Sequence, residues 1–131
     1  MRNMLYASIP IMLFFATCTF TPSFTEREFD LSAPFEYEMV YKTTRATDRA
    51  EFIIEGYLDG SGILLLPNYH VRSLHHAPST GIKEHFAGGV VVQGNIGFEY
   101  TATWYSDEAP ISFTPLEPST GWLRVRFRLR P

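Results

Sequence analysis

Polar and apolar residues alternate with a period of two along several stretches of the chain. In the stretch 35–42, aromatic residues or Met occupy the odd positions, while Glu36 and Glu38 stand between them. The stretch 98–105 alternates similarly, and 123–130 has an arginine at every second position. Because successive side chains of a β-strand point to opposite faces, these patterns predict strands with one buried face.

Shorter apolar runs predict further strands. The runs 50–56 and 63–66 are predicted core strands, and the Asp-Gly pair at 59–60 predicts a tight turn that joins them into a hairpin. The run 88–93 is another predicted buried strand, and the Gly-Asn pair at 94–95, or the stretch 95–97, predicts a turn into the next one.

The predicted elements define an all-β fold. The stretch 111–114 lies between Pro110 and Pro115, which is typical of an edge strand. We count about eight or nine short strands separated by turns, a spacing typical of an antiparallel two-sheet β-sandwich, with a small barrel as the alternative. The length of 131 residues fits one domain.

The N-terminus has the parts of a secretory signal. An uncharged apolar segment, residues 4–20, follows Arg2 and ends in small and polar residues. A membrane-spanning helix needs roughly 20 apolar residues, and Pro10 would kink a helix here. The sequence therefore predicts a signal peptide over 1–17, followed by a single domain over 18–131.

Residues 14–18, which read Phe-Phe-Ala-Thr-Cys, resemble a bacterial lipobox, in which a bulky apolar residue and two small ones precede a cysteine that becomes lipidated. The resemblance covers these five residues. It implies that Cys18, the only cysteine of the chain, carries the lipid and anchors the protein to a membrane of the bacterial cell envelope. Cleavage by ordinary signal peptidase, with a secreted product, and an uncleaved anchor are the alternatives.

Composition excludes several classes of protein. With 45% hydrophobic and 19% charged residues, the chain is unlike a disordered polymer. A net charge of -3 gives no general attraction to nucleic acid, so we expect no nucleic-acid partner. A single cysteine excludes an intrachain disulfide framework and a cysteine-based zinc site.

Charge is segregated along the sequence. Four arginines share one face of the last predicted strand and no acid lies among them, whereas glutamates share one face of each of the first two predicted strands, at 26–30 and 36–38. One interpretation is an internal ladder, with the arginine strand beside an acidic one. The other is a recognition surface for phosphate, carboxylate or an acidic partner. Its residues would be Trp122, Arg124, Arg126, Arg128 and Arg130.

No motif for catalysis is present. Gly60-Ser61-Gly62 lacks the spacing of a nucleophile elbow, and we find no phosphate-cradling or dinucleotide-binding loop. The histidines lack metal-ligand spacing on a strand or helix, although a loop could bring three of them together; they are His70, His75, His76 and His85. We therefore expect no enzyme activity, no cofactor and no metal.

The remaining signal is aromatic. Eleven Phe, seven Tyr and two Trp exceed the needs of a small core, and Trp104 and Tyr105, being adjacent, point to opposite faces of a strand. These observations predict an exported, lipid-anchored module without catalytic activity, an accessory or adaptor subunit that binds an envelope protein. The alternative is a module that binds carbohydrate or a small ligand through exposed aromatic side chains.

Overall fold

Seven strands make up most of the described chain. The computed structural model describes residues 24–40, 49–75, 78–103 and 108–130. The strands are β1 (Thr25–Asp30), β2 (Phe35–Val40), β3 (Arg49–Leu65), β4 (Thr80–Phe86), β5 (Gly89–Thr103), β6 (Glu108–Pro115) and β7 (Gly121–Arg130). A single 3₁₀ turn, Val71–Ser73, lies between β3 and β4. The prediction of an all-β fold is confirmed.

The strands form one antiparallel sheet. Its main order is β1-β7-β3-β5-β4, and the β2–β6 pair joins it at β3. One edge of β3 has two successive partners, because β7 pairs with residues 49–58 and β6 pairs with residues 62–65. The other edge of β3 pairs with β5 along nearly its whole length. The long strands β3 and β5 therefore run through both parts of the sheet.

The two predicted turns inside β3 and β5 are wrong. The Asp-Gly pair at 59–60 lies within β3, and the Gly-Asn pair at 94–95 lies within β5. The register shifts between Leu58 and Ser61, as at a β-bulge. Opposite this irregularity, Gly94 has a φ of 71°, which an L side chain rarely adopts. Both strands stay continuous here, so the described residues contain seven strands where eight or nine were predicted.

Asp59 has a different partner from the one a hairpin would provide. Its carboxylate accepts hydrogen bonds from the backbone N–H of Thr120 (2.7 Å) and from the Thr120 hydroxyl (3.0 Å). Thr120 precedes β7, so these bonds fix the β6–β7 connection to β3 where β3 changes partner. The Asp-Gly signal thus marks a bulge and a cross-connection.

The buried face of the sheet encloses one hydrophobic core. Alternate residues of β3, β5, β6 and β7 contribute to it. Phe52, which is fully buried, stacks on Tyr100 with ring centroids 4.6 Å apart and lies 4.8 Å from Phe127. The Tyr100 hydroxyl donates a hydrogen bond of 2.9 Å to the carbonyl oxygen of Pro67, so its polar end is satisfied. Burial on alternate positions confirms the period-two pattern of the sequence.

The predicted signal peptide (1–17) and the lipidation site Cys18 lie outside the described residues, as do His76, Trp104 and Tyr105. The part of the chain that the structure describes contains no helix with the length and hydrophobicity of a membrane span.

Candidate functional site

The arginine strand β7 lies between β1 and β3, both of which place glutamates beside it. Glu28 of β1 and Glu55 of β3 are the register partners of Arg124, and Glu51 of β3 faces Arg128. The outward-pointing side chains of β7, together with the glutamates beside them on β1 and β3, are called the charged face. Its members are Glu26, Glu28, Glu51, Glu55, Trp122, Arg124, Arg126 and Arg128.

Ion pairs connect all three strands of the charged face. Arg124 donates to Glu28 through Nε (3.2 Å) and Nη2 (3.1 Å). Arg126 joins the two acidic strands, because Nη2 donates to Glu55 while Nε lies 3.5 Å from the Glu26 carboxylate. The hydrogen bond to Glu28 raises the pKa of Arg124 above its ordinary value, so this guanidinium stays charged.

The pair at the far end of the charged face is the most buried. Arg128 Nε donates to Glu51 Oε2 at 2.6 Å, and the two side chains are 21% and 14% exposed. The Arg128 guanidinium also lies 4.2 Å from the ring centroid of Phe24, a cation–π contact. This arginine is fixed on two sides by the fold itself.

The internal ladder inferred from charge segregation is confirmed, with β1 and β3 as the acidic strands. The second acidic strand of the sequence, which holds Glu36 and Glu38, pairs with β6 instead. Arg130 belongs to β7 opposite Arg49, but its side chain lies outside the described part of the structure. Each of Arg124, Arg126 and Arg128 already has a carboxylate, so an anionic partner would have to compete with it.

An exposed aromatic pair lies at the other end of the charged face. Trp122 is 46% exposed and Tyr57 is 43% exposed, and they are register partners on neighbouring strands. The Arg124 guanidinium lies 5.5 Å from the Trp122 ring centroid. Asp30 of β1 is the register partner of Trp122, and Asn95 of β5 is the register partner of Tyr57. Two aromatic rings with polar groups on both sides can stack on a partner and hydrogen-bond to it.

Sequence reasoning missed Tyr57. It lies two residues before the Asp-Gly pair, in the stretch between the predicted strands 50–56 and 63–66. A continuous strand would have placed it on the same face as Glu51 and Glu55, since these residues share odd positions in β3. The signal that could have revealed Tyr57 was therefore the alternation of buried and outward-facing positions, which continues through the predicted turn.

A groove adjoins the charged face between β3, β5 and the start of β4. Its volume is about 430 Å³, and its lining includes Glu55, Arg126, Gly97 and Glu99. Gly97 has no side chain, which keeps the groove open. A Cβ at this position would fill part of the space and lie 3.2 Å from the Thr80 hydroxyl. The groove extends the polar surface beyond the arginine strand.

The described histidines have separate partners. The Tyr69 hydroxyl and His85 Nδ1 are hydrogen-bonded at 2.7 Å. His70 Nδ1 accepts from the backbone N–H of Arg72 at 3.1 Å, and His75 Nδ1 lies 3.8 Å from the Glu99 carboxylate. Among the described residues, no group of three or more His, Cys, Asp or Glu side chains is placed to hold a metal ion.

Comparison with known proteins adds little to this geometry. No family model matches the sequence, and no curated protein matches it. Among solved structures, a solution NMR structure of a de novo designed double-stranded β-helix is similar, with 15% sequence identity and a TM-score of 0.36. The match covers 79% of this chain and 99% of the designed one.

Proposed function

We propose that this protein is an exported, lipid-anchored module of the bacterial cell envelope that binds another envelope protein and has no catalytic activity. Residues 1–17 would be the signal peptide and Cys18 the acylated residue, with the domain over 18–131. Support comes from the apolar N-terminus and from the likeness of residues 14–18 to a lipobox. The intact mass of protein from the membrane fraction tests the anchor, since unlipidated protein beginning after Cys18 would refute it.

The anchor would keep the domain close to the membrane. Only six residues lie between Cys18 and the start of β1 at Thr25, and the seven residue-to-residue steps between them span at most about 25 Å when fully extended. Because β1 carries Glu26 and Glu28 of the charged face, this face would lie within reach of membrane-associated partners.

We also propose that the partner binds the charged face around Trp122. The observation that carries this proposal is the exposed Trp122–Tyr57 pair beside an ordered set of ion pairs. Aromatic residues and arginines are enriched in the centres of protein interfaces. A row of fixed charges next to an exposed aromatic pair offers both affinity and orientation to a partner.

A charge swap separates recognition from folding. The double variant Glu28→Arg/Arg124→Glu restores an ion pair across β1 and β7 but places the new glutamate opposite Glu55 of β3. We therefore expect a modest fall in the unfolding midpoint, with the protein still folded at the temperature of the capture assay. A partner would meet inverted charges at the same positions, so we expect capture from envelope extracts to fall. Trp122→Ala should also lose capture, whereas Leu116→Ala, at a 55% exposed residue outside the face, should retain it. Full capture by both the swap and Trp122→Ala would refute the proposal.

The same aromatic pair supports a second candidate function, binding of carbohydrate or another small ligand. Asp30 and Asn95 stand on either side of Trp122 and Tyr57, so hydrogen-bonding groups adjoin two exposed rings. This function predicts a change of tryptophan fluorescence on titration with a panel of glycans, and a loss of that change in Tyr57→Ala. No response across the panel would exclude this candidate.

We further propose that the sheet folds over itself as a two-layer β-sandwich, with β3 and β5 contributing to both layers. Support comes from the change of partner along β3 from β7 to β6 at the bulge. One cluster of buried residues also includes side chains from both parts of these long strands, such as Phe52 and Leu64. Long-range distances between spin labels on β1 and β2 test this arrangement.

A further inference from the structure

A second groove, separate from the aromatic pair, lies where β3 begins and β5 ends. Its volume is about 520 Å³, and its walls come from Arg49, from the segment 68–73 and from residues 101–103. Arg49 and Tyr57 are eight residues apart on β3, which corresponds to about 26 Å along the strand. The groove therefore does not overlap the site around Trp122.

Arg49 differs from the arginines of the charged face. Arg124, Arg126 and Arg128 each have a glutamate partner, whereas Arg49 forms no ion pair with any residue that the structure describes. Its register partners are Thr103 and Arg130, neither of which is acidic. Within the described ranges, no carboxylate lines the groove. Among the residues that the structure describes, the positive charge of Arg49 thus has no neutralising group beside it in this concave site.

The other polar side chains of the groove supply further hydrogen-bond donors. His70 Nδ1 accepts a hydrogen bond from the Arg72 backbone, so the neutral imidazole carries its proton on Nε2 and acts as a donor there. Ser73 and Thr101 add hydroxyl groups, which can donate to an anion. Tyr69 is 4% exposed, packs edge-on against Tyr100 and lines the groove.

The loop that holds these donors is fixed to the sheet. Asn68 adopts a positive φ of 51°, which asparagine tolerates better than most residues. Its side-chain nitrogen donates to the carbonyl oxygen of Thr103 at 3.4 Å, and His75 N–H donates to the carbonyl oxygen of Glu99 at 3.1 Å. These contacts keep the loop against the end of β5, so the donors are arranged before a ligand arrives.

We propose that this groove binds the carboxylate or phosphate group of a small molecule, with Arg49 as the principal contact. Guanidinium groups favour bidentate contacts with both kinds of oxyanion. The proposal does not depend on the proposed function, because the groove and the charged face use different residues.

Titration of the full chain with inorganic phosphate and, separately, with succinate tests the proposal by calorimetry and by NMR. We expect saturable binding of at least one of the two, with amide shift changes at 49, 68–73 and 101–103. Binding of phosphate alone would assign a phosphate ligand, and binding of succinate alone a carboxylate. Absence of saturable binding for both, or shift changes confined to other regions, would overturn the proposal.

Two variants and a matched control attribute the binding to the groove. Arg49→Gln should weaken binding by about tenfold or more, the usual worth of a hydrogen bond to a charged group. Thr101→Val keeps the β-branched shape and should weaken it by a smaller factor. Arg27→Gln removes one positive charge from β1, where Arg27 Nε donates to the Tyr37 hydroxyl at 3.1 Å, and should leave binding unchanged. Equal weakening by Arg27→Gln and Arg49→Gln would show a nonspecific charge effect and refute the site.

Discussion

The ion pairs of the charged face differ in burial, and this difference predicts unequal contributions to stability. Glu51 and Arg128 are 14% and 21% exposed, whereas Glu28 and Arg124 are 62% and 33% exposed. Glu51→Gln tests this difference, because it keeps the shape of the side chain and removes its charge. Glu28→Gln is the matched control in the same ladder.

The expected cost of Glu51→Gln follows from what Arg128 loses. Breaking a fully buried ion pair costs about 3–5 kcal/mol, and a hydrogen bond to a charged group contributes about 1.5–3 kcal/mol. Arg128 keeps its contact with Phe24 and remains partly solvated, so we expect a loss of about 2 kcal/mol in the free energy of unfolding. Glu28 is mostly exposed, and exposed pairs contribute little. Its replacement should leave the unfolding midpoint nearly unchanged.

Urea unfolding of both variants, at low salt and in about 1 M NaCl, measures this difference. Salt should weaken the Arg124–Glu28 pair and leave most of the Glu51→Gln effect in place, because water and ions have little access to Glu51. Equal losses for the two variants, or a Glu51→Gln effect that disappears in salt, would refute the argument from burial. A change in the slope of the unfolding curve would show that Glu51→Gln altered the compactness of a state, so the comparison requires equal slopes.

Three further changes test the core and the bulge. Phe52→Ala should cost about 4 kcal/mol in urea unfolding, because it removes a fully buried ring stacked on Tyr100; a loss below about 2 kcal/mol would contradict the packing. Backbone and side-chain hydrogen bonds from Thr120 hold the pKa of Asp59 below its ordinary value of 3.8. The resulting stabilisation is complete above that value and is lost as pH falls through the lower folded-state pKa. Asp59→Asn should therefore flatten the acid limb of a plot of stability against pH, and an unaltered limb would exclude this role. Gly94→Ala should cost about 1 kcal/mol, since alanine is strained at positive φ, and an unchanged unfolding midpoint would contradict the strain.

Periodicity was sufficient to predict most of the strands, although not β4, and it did not predict their continuity. The alternation of β7 and the apolar positions of β3 follow from the sequence, because burial on one face imposes a period of two. The Asp-Gly pair at 59–60 was misinterpreted because a glycine beside an aspartate favours a bulge as well as a hairpin turn. The difference depends on Thr120, sixty-one residues away in the sequence, and no local pattern reveals that contact.

The candidate site was predictable in its charges and not in its aromatic part. Segregation of acids and arginines indicated a ladder, since opposite charges on adjacent strands attract. It could not indicate which acidic strand lies beside β7, and β3 supplied two glutamates that the sequence reasoning had assigned to the core. The sequence analysis considered His70 but did not predict the second groove, because Arg49 and Thr101 come together only through the pairing of β3 with β5.

The position of β7 in the sheet also determines when the protein can fold. This strand comes last among the described strands, yet it lies between β1 and β3. Among the described strands, β1 pairs with β7 alone. A nascent chain therefore cannot complete this part of the sheet until residues 121–130 have left the ribosome. Pairings between such distant segments form slowly, on a scale of milliseconds to seconds. Until then, the glutamates of β1 and β3 lack their arginine partners. The polypeptide remains incompletely folded, so chaperones and any machinery that requires an unfolded substrate can bind it.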